Sequence, residues 1–338
     1  MDKKPTIHDV ARLSGVCIGT VSRVINNKDK VLPATRQRIL DVIGQLGYRP
    51  SAIARGLVTS RTHNILLCLH NIADPYCASV AKVVRTQSRK LGYGLLLGDS
   101  NYEHDTEADY LRRAFEGKAD GLIIEPLPGV KNARLYKELV QTGFPVVAID
   151  SQVPGVPLNC VKYDDVGIAR LALDYLFDKG HRRIAFLQCQ TEFQTVKDRY
   201  AGYLESHKSH QVAVAPGYCL TACKSLENWD KAALGRLLAL PQPPSAIVAE
   251  NEIMATLCVN TLLRLGKRVP QDVAVIGLGD VLPEPFFPLP MTVISFHHEA
   301  AMGRALDLLM ELIEQPDLCK QPPRTFVQKP ELIVRESA

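Results

Sequence analysis

Residues 6–27 read TIHDVARLSGVCIGTVSRVINN, and the rest of the chain is organised around them. Ile7, Val10, Ala11, Val16, Val21, Val24 and Ile25 recur at helical spacing, which predicts two short helices with inward apolar faces. Ser14-Gly15 interrupts the pattern, and glycine turns the chain there at low steric cost. Thr6 is a good N-cap for the first helix, with Asp9 three residues on as a capping-box variant. The second helix turns Ile18, Gly19, Ser22, Arg23 and Asn26 outward. Two helices at a steep angle, the second facing out, make the helix-turn-helix that enters a DNA major groove. A small helical hairpin without DNA would share the pattern; charge and the downstream chain separate the two readings.

The chain has 338 residues, enough for two or three domains. Its formal net charge of +4 is unevenly spread. Residues 1–60 hold ten Lys/Arg against four acids, a net +6, and the remainder holds 30 against 32, a net −2. A basic head on a near-neutral body suits a polyanion-binding module. The nine cysteines include no CxxC pair and no Cys/His cluster at zinc spacing, so they read as reduced packing residues. MDKKPTIHDV lacks an apolar signal region and no run approaches a membrane span, which predicts a cytoplasmic protein with no membrane partner.

After Asn27, Lys28-Asp29-Lys30 is a polar loop. Pro33 then opens a third helix carrying Ile39, Val42, Ile43 and Leu46, stopped by Gly47. Ser51 could cap a helix of about two turns, too short to hold in water alone. Arg55 offers a phosphate contact and Leu57 an apolar wedge for a minor-groove base step; an interdomain linker is the plainer alternative. From residue 61, apolar strand-like runs at 64–70, 93–99, 120–126, 145–150, 183–188, 245–250 and 273–279 alternate with amphipathic helical segments. That alternation predicts βαβ units and two doubly wound parallel-sheet lobes. Ligands of such sheets lie beyond the carboxyl ends of the strands, here in a cleft between lobes.

Taken together, these segments resemble the LacI/GalR family of bacterial transcription repressors. The resemblance rests on the signature in residues 6–26, then GYRPSAIARGL (47–57), DPY (74–76), GHRRIAFL (180–187), R-x-x-G-Y (199–203), N-E-x-x-A (251–255) and VAVIG (273–277). It implies a small all-α head at 1–48, a hinge helix and linker at 49–61, and a periplasmic-binding-protein-like type I core at 62–338. The N-lobe would hold about 62–160 and 292–318, and the C-lobe about 161–291 and 319–338. By position, Ile18, Gly19 and Arg23 would face base edges, and Thr6, Thr20, Ser22 and Asn26 would meet phosphate. Ser51, Ala54, Arg55 and Leu57 would serve the hinge on DNA. Asp74, Tyr76, Asp150, Phe193, Thr195, Arg199, Asn251 and Asp280 would surround the effector. The implied partners are palindromic operator DNA, a second copy of the chain, and a sugar, sugar acid, sugar phosphate or nucleoside.

Four positions depart from the family pattern. Cys17 replaces a better helix cap, and Gly19 removes a base-reading side chain. Gly279 stands where an acid is common, with Asp280 one residue on, and Ser225 replaces an aromatic, with Trp229 nearby. Other chemistry is not supported. His297-His298 point in different directions on a helix, Asp164-Asp165 precede a helix start as dipole partners or caps, and the paired glycines lack a nucleotide-binding spacing. The expectation is therefore a non-enzymatic regulator without metal or cofactor. A cytosolic sugar-binding or sugar-modifying protein is the alternative.

Overall fold

The computed structural model describes residues 5–25, 31–49, 61–189, 192–223 and 229–338. Two compact units divide the chain, Met1–His63 and Asn64–Ala338. The first holds α1 (Ile7–Ser14), α2 (Ile18–Ile25) and α3 (Pro33–Leu46). The N–H and hydroxyl of Thr6 both donate to the Asp9 carboxylate, at 3.0 and 2.8 Å, which ties down the entry to α1. Gly15 ends it in the left-handed region, φ 63°. Val10, Ala11, Val21, Val24, Ile39 and Val42 form the buried centre of the head. These residues come from all three helices, so no helix has a buried face without the others.

The second unit contains two six-stranded sheets. The strands in chain order are β1 (Asn64–Leu69), β2 (Gly94–Asp99), β3 (Gly121–Ile124), β4 (Val146–Ile149), β5 (Asn159–Tyr163), β6 (Ile184–Cys189), β7 (Cys219–Cys223), β8 (Ala246–Ala249), β9 (Ala274–Leu278), β10 (Thr292–Ser295), β11 (Thr325–Gln328) and β12 (Glu331–Ile333). The first sheet runs β11-β5-β4-β3-β1-β2 and the second β12-β10-β9-β8-β6-β7. All pairings are parallel except that of β10 with β12. The core strands β3, β4, β8 and β9 are buried along their whole length, as parallel strands covered on both faces must be.

Helices α4 (Pro75–Lys90), α5 (His104–Phe115), α6 (Ala133–Gln141), α7 (Asp165–Asp178), α8 (Gln194–Ser209), α9 (Lys231–Leu238), α10 (Glu252–Arg264) and α11 (His298–Glu314) complete the unit. The chain passes between sheets after β5, after β10 and after β11. The expected lobe bounds are corrected accordingly. Residues 161–163 finish a strand of the first sheet, β10 pairs with β9 in the second, and β11 returns to β5 in the first. Helix α11 packs on β3, β4 and β5 although the strand before it belongs to the other sheet. These strands have only three to five residues, and β11 is half-exposed, so hydrophobic patterning carries little signal for them.

Cys17, Cys68, Cys77, Cys160, Cys219, Cys258 and Cys319 are free thiols, whereas Cys189 is disulfide-bonded. The expectation of fully reduced cysteines fails at that residue. Among the described residues no helix is long and apolar enough to cross a membrane.

Candidate nucleic-acid interface and effector cleft

In the head, α2 buries Val21 and Val24 and turns the opposite face out. Ile18 is 39% exposed, and Gly19 and Arg23 are exposed as well. Thr20 and Ser22 are half-buried. Cys17 stands at the start of the helix: its carbonyl accepts the Thr20 and Val21 N–H groups, as the backbone of any residue would there, and its sulfur lies 3.3 Å from the Thr20 hydroxyl. That hydroxyl and the first-turn N–H groups lower the thiol's pKa. Thr6 is at the start of α1 with its hydroxyl engaged by Asp9. The expected contacts at Asn26, Ser51, Ala54, Arg55 and Leu57 lie outside the described residues, as does Ser225.

In the core, the first-lobe residues meet at the strand ends. Asp150 follows β4 with φ 65°, an uncommon conformation that aspartate tolerates better than most residues. Tyr76 donates from its hydroxyl to Asp150 Oδ1 at 2.8 Å and lies 3.1 Å from the Tyr163 hydroxyl. Burial, then the charge of Glu125, pushes the Asp150 carboxyl well above the usual carboxylate range. Asp74 caps α4, accepting the Tyr76 N–H at 2.8 Å, and so places that ring.

From the second lobe, α8 presents Arg199. Its Nε donates to Asp165 Oδ1 at 2.9 Å and its Nη1 to the Glu250 carbonyl at 2.6 Å. The guanidinium lies 5.2 Å from the centre of the Phe296 ring. Phe296 in turn touches Tyr163, which ties the Arg199 side to the first-lobe tyrosines. The ion pair is buried, with side-chain exposures of 12% and 4%. Burial raises the Asp165 carboxyl pKa while Arg199 pulls the other way. Glu250 and Glu252 are raised to about 7, chiefly by burial. Asp150, Tyr163 and Asp165 line a cavity of about 590 Å³ together with Lys162, Gln194 and Asp198, so both lobes contribute to its wall.

Of the eight expected effector residues only Asp150 lines this cavity, whose wall is mainly the loop 151–157, and the others have different duties. Asn251 Oδ1 caps α10 through the Met254 N–H at 2.8 Å. Asp280 accepts from the Ser295 hydroxyl at 2.5 Å, and its Oδ1 is buried without a hydrogen-bond partner. Thr195 is half-buried in the first turn of α8. Phe193 lies 5.0 Å from His70 across the lobes, ring to ring. Gly279 has φ 133°, and a Cβ there would overlap the Glu252 carboxylate, whose other oxygen accepts the Val281 N–H at 3.0 Å. Glu252 therefore supplies an acid at the corner where the sequence lacks one. Trp229 is not at the cleft: it packs on the second-lobe core and donates to Thr261 at 3.4 Å. Of the adjacent acids, Asp164 caps α7 as expected, accepting the Gly167 N–H at 2.9 Å. Asp165, Glu252, Tyr163 and Phe296 were missed as site residues because their partners are far away in the chain.

A helical head with an exposed second helix, joined in one chain to a two-lobed core with a polar cleft, defines a ligand-responsive DNA-binding protein. Comparison with known proteins narrows this. Residues 6–51 match the model "Bacterial regulatory proteins, lacI family", and residues 173–338 match "Periplasmic binding protein-like domain". The HTH-type transcriptional repressor PurR of Mannheimia succiniciproducens is 31% identical over 334 residues, covering 98% of each chain. The HTH-type transcriptional repressor CytR of Escherichia coli K12 is 27% identical, covering 91% of this chain and 90% of its own. A solved transcriptional regulator CelR–cellobiose complex is 28% identical, covers 99% and 100% of the two chains, and superposes with a TM-score of 0.70. The lac repressor dimer bound to operator and the anti-inducer ONPF shares the fold, with a TM-score of 0.85 at 21% identity and 99% coverage of both chains. The chain belongs to the LacI family of bacterial transcription regulators. It is a DNA-binding transcriptional repressor with an effector-binding core.

Proposed function

We propose that the repressor binds a palindromic operator as a homodimer in the cytoplasm and that a carbohydrate-class effector in the interlobe cleft controls this binding. In the head, Arg23 makes paired hydrogen bonds to a guanine, with Ile18 and Gly19 against neighbouring base edges. Thr6, Thr20, Ser22 and Asn26 hold the phosphates. Ser51, Ala54, Arg55 and Leu57, within the 49–61 connection, serve the minor groove at the operator centre. In the cleft, Asp150, Arg199 and Asp280 act on ligand hydroxyls, with Asp74, Tyr76, Phe193, Thr195 and Asn251 shaping the surrounding walls.

The observation that carries the effector reading is the facing pair of polar centres, Tyr76–Asp150 from one lobe and Arg199–Asp165 from the other, beside a cavity of about 590 Å³. Small-molecule sites span about 300–1,000 Å³. Mixed donors and acceptors around aromatic faces suit a polyhydroxylated ring. The cellobiose complex of a relative at 28% identity supports the carbohydrate class. Ligand closure of the lobes would shift a two-state equilibrium, with a coupling of about 1–3 kcal/mol. For the dimer, the support is edge strand β2, where Leu96 and Leu97 are 39% and 46% exposed.

The test combines operator binding with a ligand screen. A palindromic DNA selected from a random pool is expected to bind the native chain at twice the 37.3 kDa mass. Arg23→Ala is expected to lower specific affinity by about 1–3 kcal/mol and relax one base position. A thermal-shift screen of sugars, sugar acids, sugar phosphates and nucleosides should yield a sugar that also changes operator affinity. A hit restricted to nucleosides would replace the carbohydrate reading, and failure to select any DNA would defeat the operator reading.

A further inference from the structure

Away from Arg199, three buried side chains with metal-binding atoms converge in the first lobe. His70 follows β1, Cys77 lies in the first turn of α4, and Glu125 follows β3. They are 9%, 0% and 5% exposed. One ligand atom from each lies within 4.8 Å of the other two. Cys77 Sγ is 3.7 Å from His70 Nε2 and 3.8 Å from Glu125 Oε2. Zinc holds thiolate sulfur at about 2.3 Å and nitrogen or oxygen at about 2.0–2.2 Å, so neighbouring tetrahedral ligands stand about 3.5 Å apart. The sulfur is close to that spacing from both partners.

The three groups also contact one another. Glu125 Oε2 lies 2.6 Å from His70 Nδ1, yet Nδ1 is buried without an aligned hydrogen bond. The thiol is a weak partner for either group. The cluster thus gathers an imidazole and a carboxylate in close contact, with a thiol beside both, three groups that each carry a metal-ligating atom.

We propose that His70, Cys77 and Glu125 form a site for a divalent transition-metal ion of the zinc class. The thiolate, an imidazole nitrogen and a carboxylate oxygen supply three lone pairs. The fourth position takes water or an oxygen of a cleft ligand, the open arrangement of a three-ligand zinc site. Binding releases the Cys77 proton to solvent and involves no change of oxidation state. Sulfur and imidazole favour Zn²⁺ or Co²⁺ over Mg²⁺ or Ca²⁺. Glu125 must turn from its contact with Nδ1 to reach the ion. The His70 ring packs 4.9 Å from Tyr102 of its own lobe and 5.0 Å from Phe193 of the other. A metal at His70 would therefore fix a ring that joins the two lobes.

The test uses the full chain, stripped of metal with a chelator and titrated with Co²⁺, and it needs neither operator nor effector. The expected result is one Co²⁺ per chain, a thiolate-to-cobalt charge-transfer band in the near ultraviolet, intense tetrahedral bands in the visible, and their loss on adding Zn²⁺. Cys77→Ser is expected to abolish the charge-transfer band, and Glu125→Gln to weaken Co²⁺ binding by about tenfold or more. Circular dichroism and melting checks accompany both variants, and the near-isosteric Glu125→Gln keeps the test decisive if Cys77→Ser fails to fold. No charge-transfer band in the native chain, a band that survives Cys77→Ser, or unchanged affinity in Glu125→Gln would overturn the site.

Discussion

At the scale of single residues, Arg199 joins three different kinds of partner at the cleft. It reaches an aspartate, a backbone carbonyl and an aromatic face at once. The planar guanidinium makes this possible, because its donors are held in a fixed fork that lysine lacks. Arg199→Lys keeps the charge beside Asp165 but loses one of the two directions of donation. We expect it to bind operator with unchanged affinity while its effector response weakens by about tenfold or more, a loss of about 1.4 kcal/mol. Fluorescence anisotropy of labelled operator with and without the effector reads both quantities. An unaltered effector response would remove Arg199 from the site. Removal of the side chain is a poorer test, since Arg199→Ala leaves Asp165 buried without its partner, a loss of about 3–5 kcal/mol that would obscure ligand effects.

At the scale of elements, the contact between α7 and α8 determines where Arg199 sits. Gly202, three residues after Arg199, lies against α7, and a Cβ there would overlap the Val166 carbonyl oxygen and meet Ala169 Cβ at 3.0 Å. One position on, Tyr203 is buried and donates to the Ile184 carbonyl at 2.9 Å, anchoring α8 to β6. The R-x-x-G-Y segment is thus one device: a close approach, an anchor and the ligand-side arginine. Gly202→Ala should cost about 1–3 kcal/mol by forcing the helices apart, although alanine has the better helix propensity. Gly235→Ala, in α9 with open space at the Cβ position, should instead be neutral or stabilising by about 0.5–1 kcal/mol. Urea unfolding of the two variants checks the contrast. Equal effects would mean that helix propensity, not packing, sets the outcome.

At the scale of the whole molecule, the cleft concentrates buried acids, and this carries a pH signature. Glu250 and Glu252 titrate near 7 in the folded protein because burial disfavours their charged forms, against 4.5 for an ordinary glutamate. The folded chain holds more protons than the unfolded chain between these values. The stability these groups contribute is therefore fully present below pH 4.5, falls as the pH rises to about 7, and is level above that. The expected fall is on the order of a few kcal/mol. Thermal unfolding at about pH 5 and about pH 8 should show a higher melting temperature at the lower pH, with the difference reduced in the Glu250→Gln, Glu252→Gln double variant. A difference of the same size in that variant would assign the pH dependence to other groups.

Local patterns sufficed for much of this protein. The head was legible because its signals, a cap, a turn glycine and apolar spacing, lie within a few residues of one another, and α1 and α2 follow them closely. The central strands of both sheets were legible because parallel strands buried on both faces read as continuous apolar runs. Arg199 was assigned to the effector cleft only through the family resemblance of its R-x-x-G-Y segment. Tertiary structure decided what depends on distant partners. It assigned β10 and β11 to their sheets, since a strand of four residues takes its place from the neighbour it pairs with. It turned Asp165 from a helix-start acid into the partner of Arg199, and put Glu252 at the corner that Gly279 leaves without a side chain. It also brought together His70, Cys77 and Glu125, which stand too far apart in the chain for any spacing rule, because βαβ winding returns successive strand ends to one edge of the sheet.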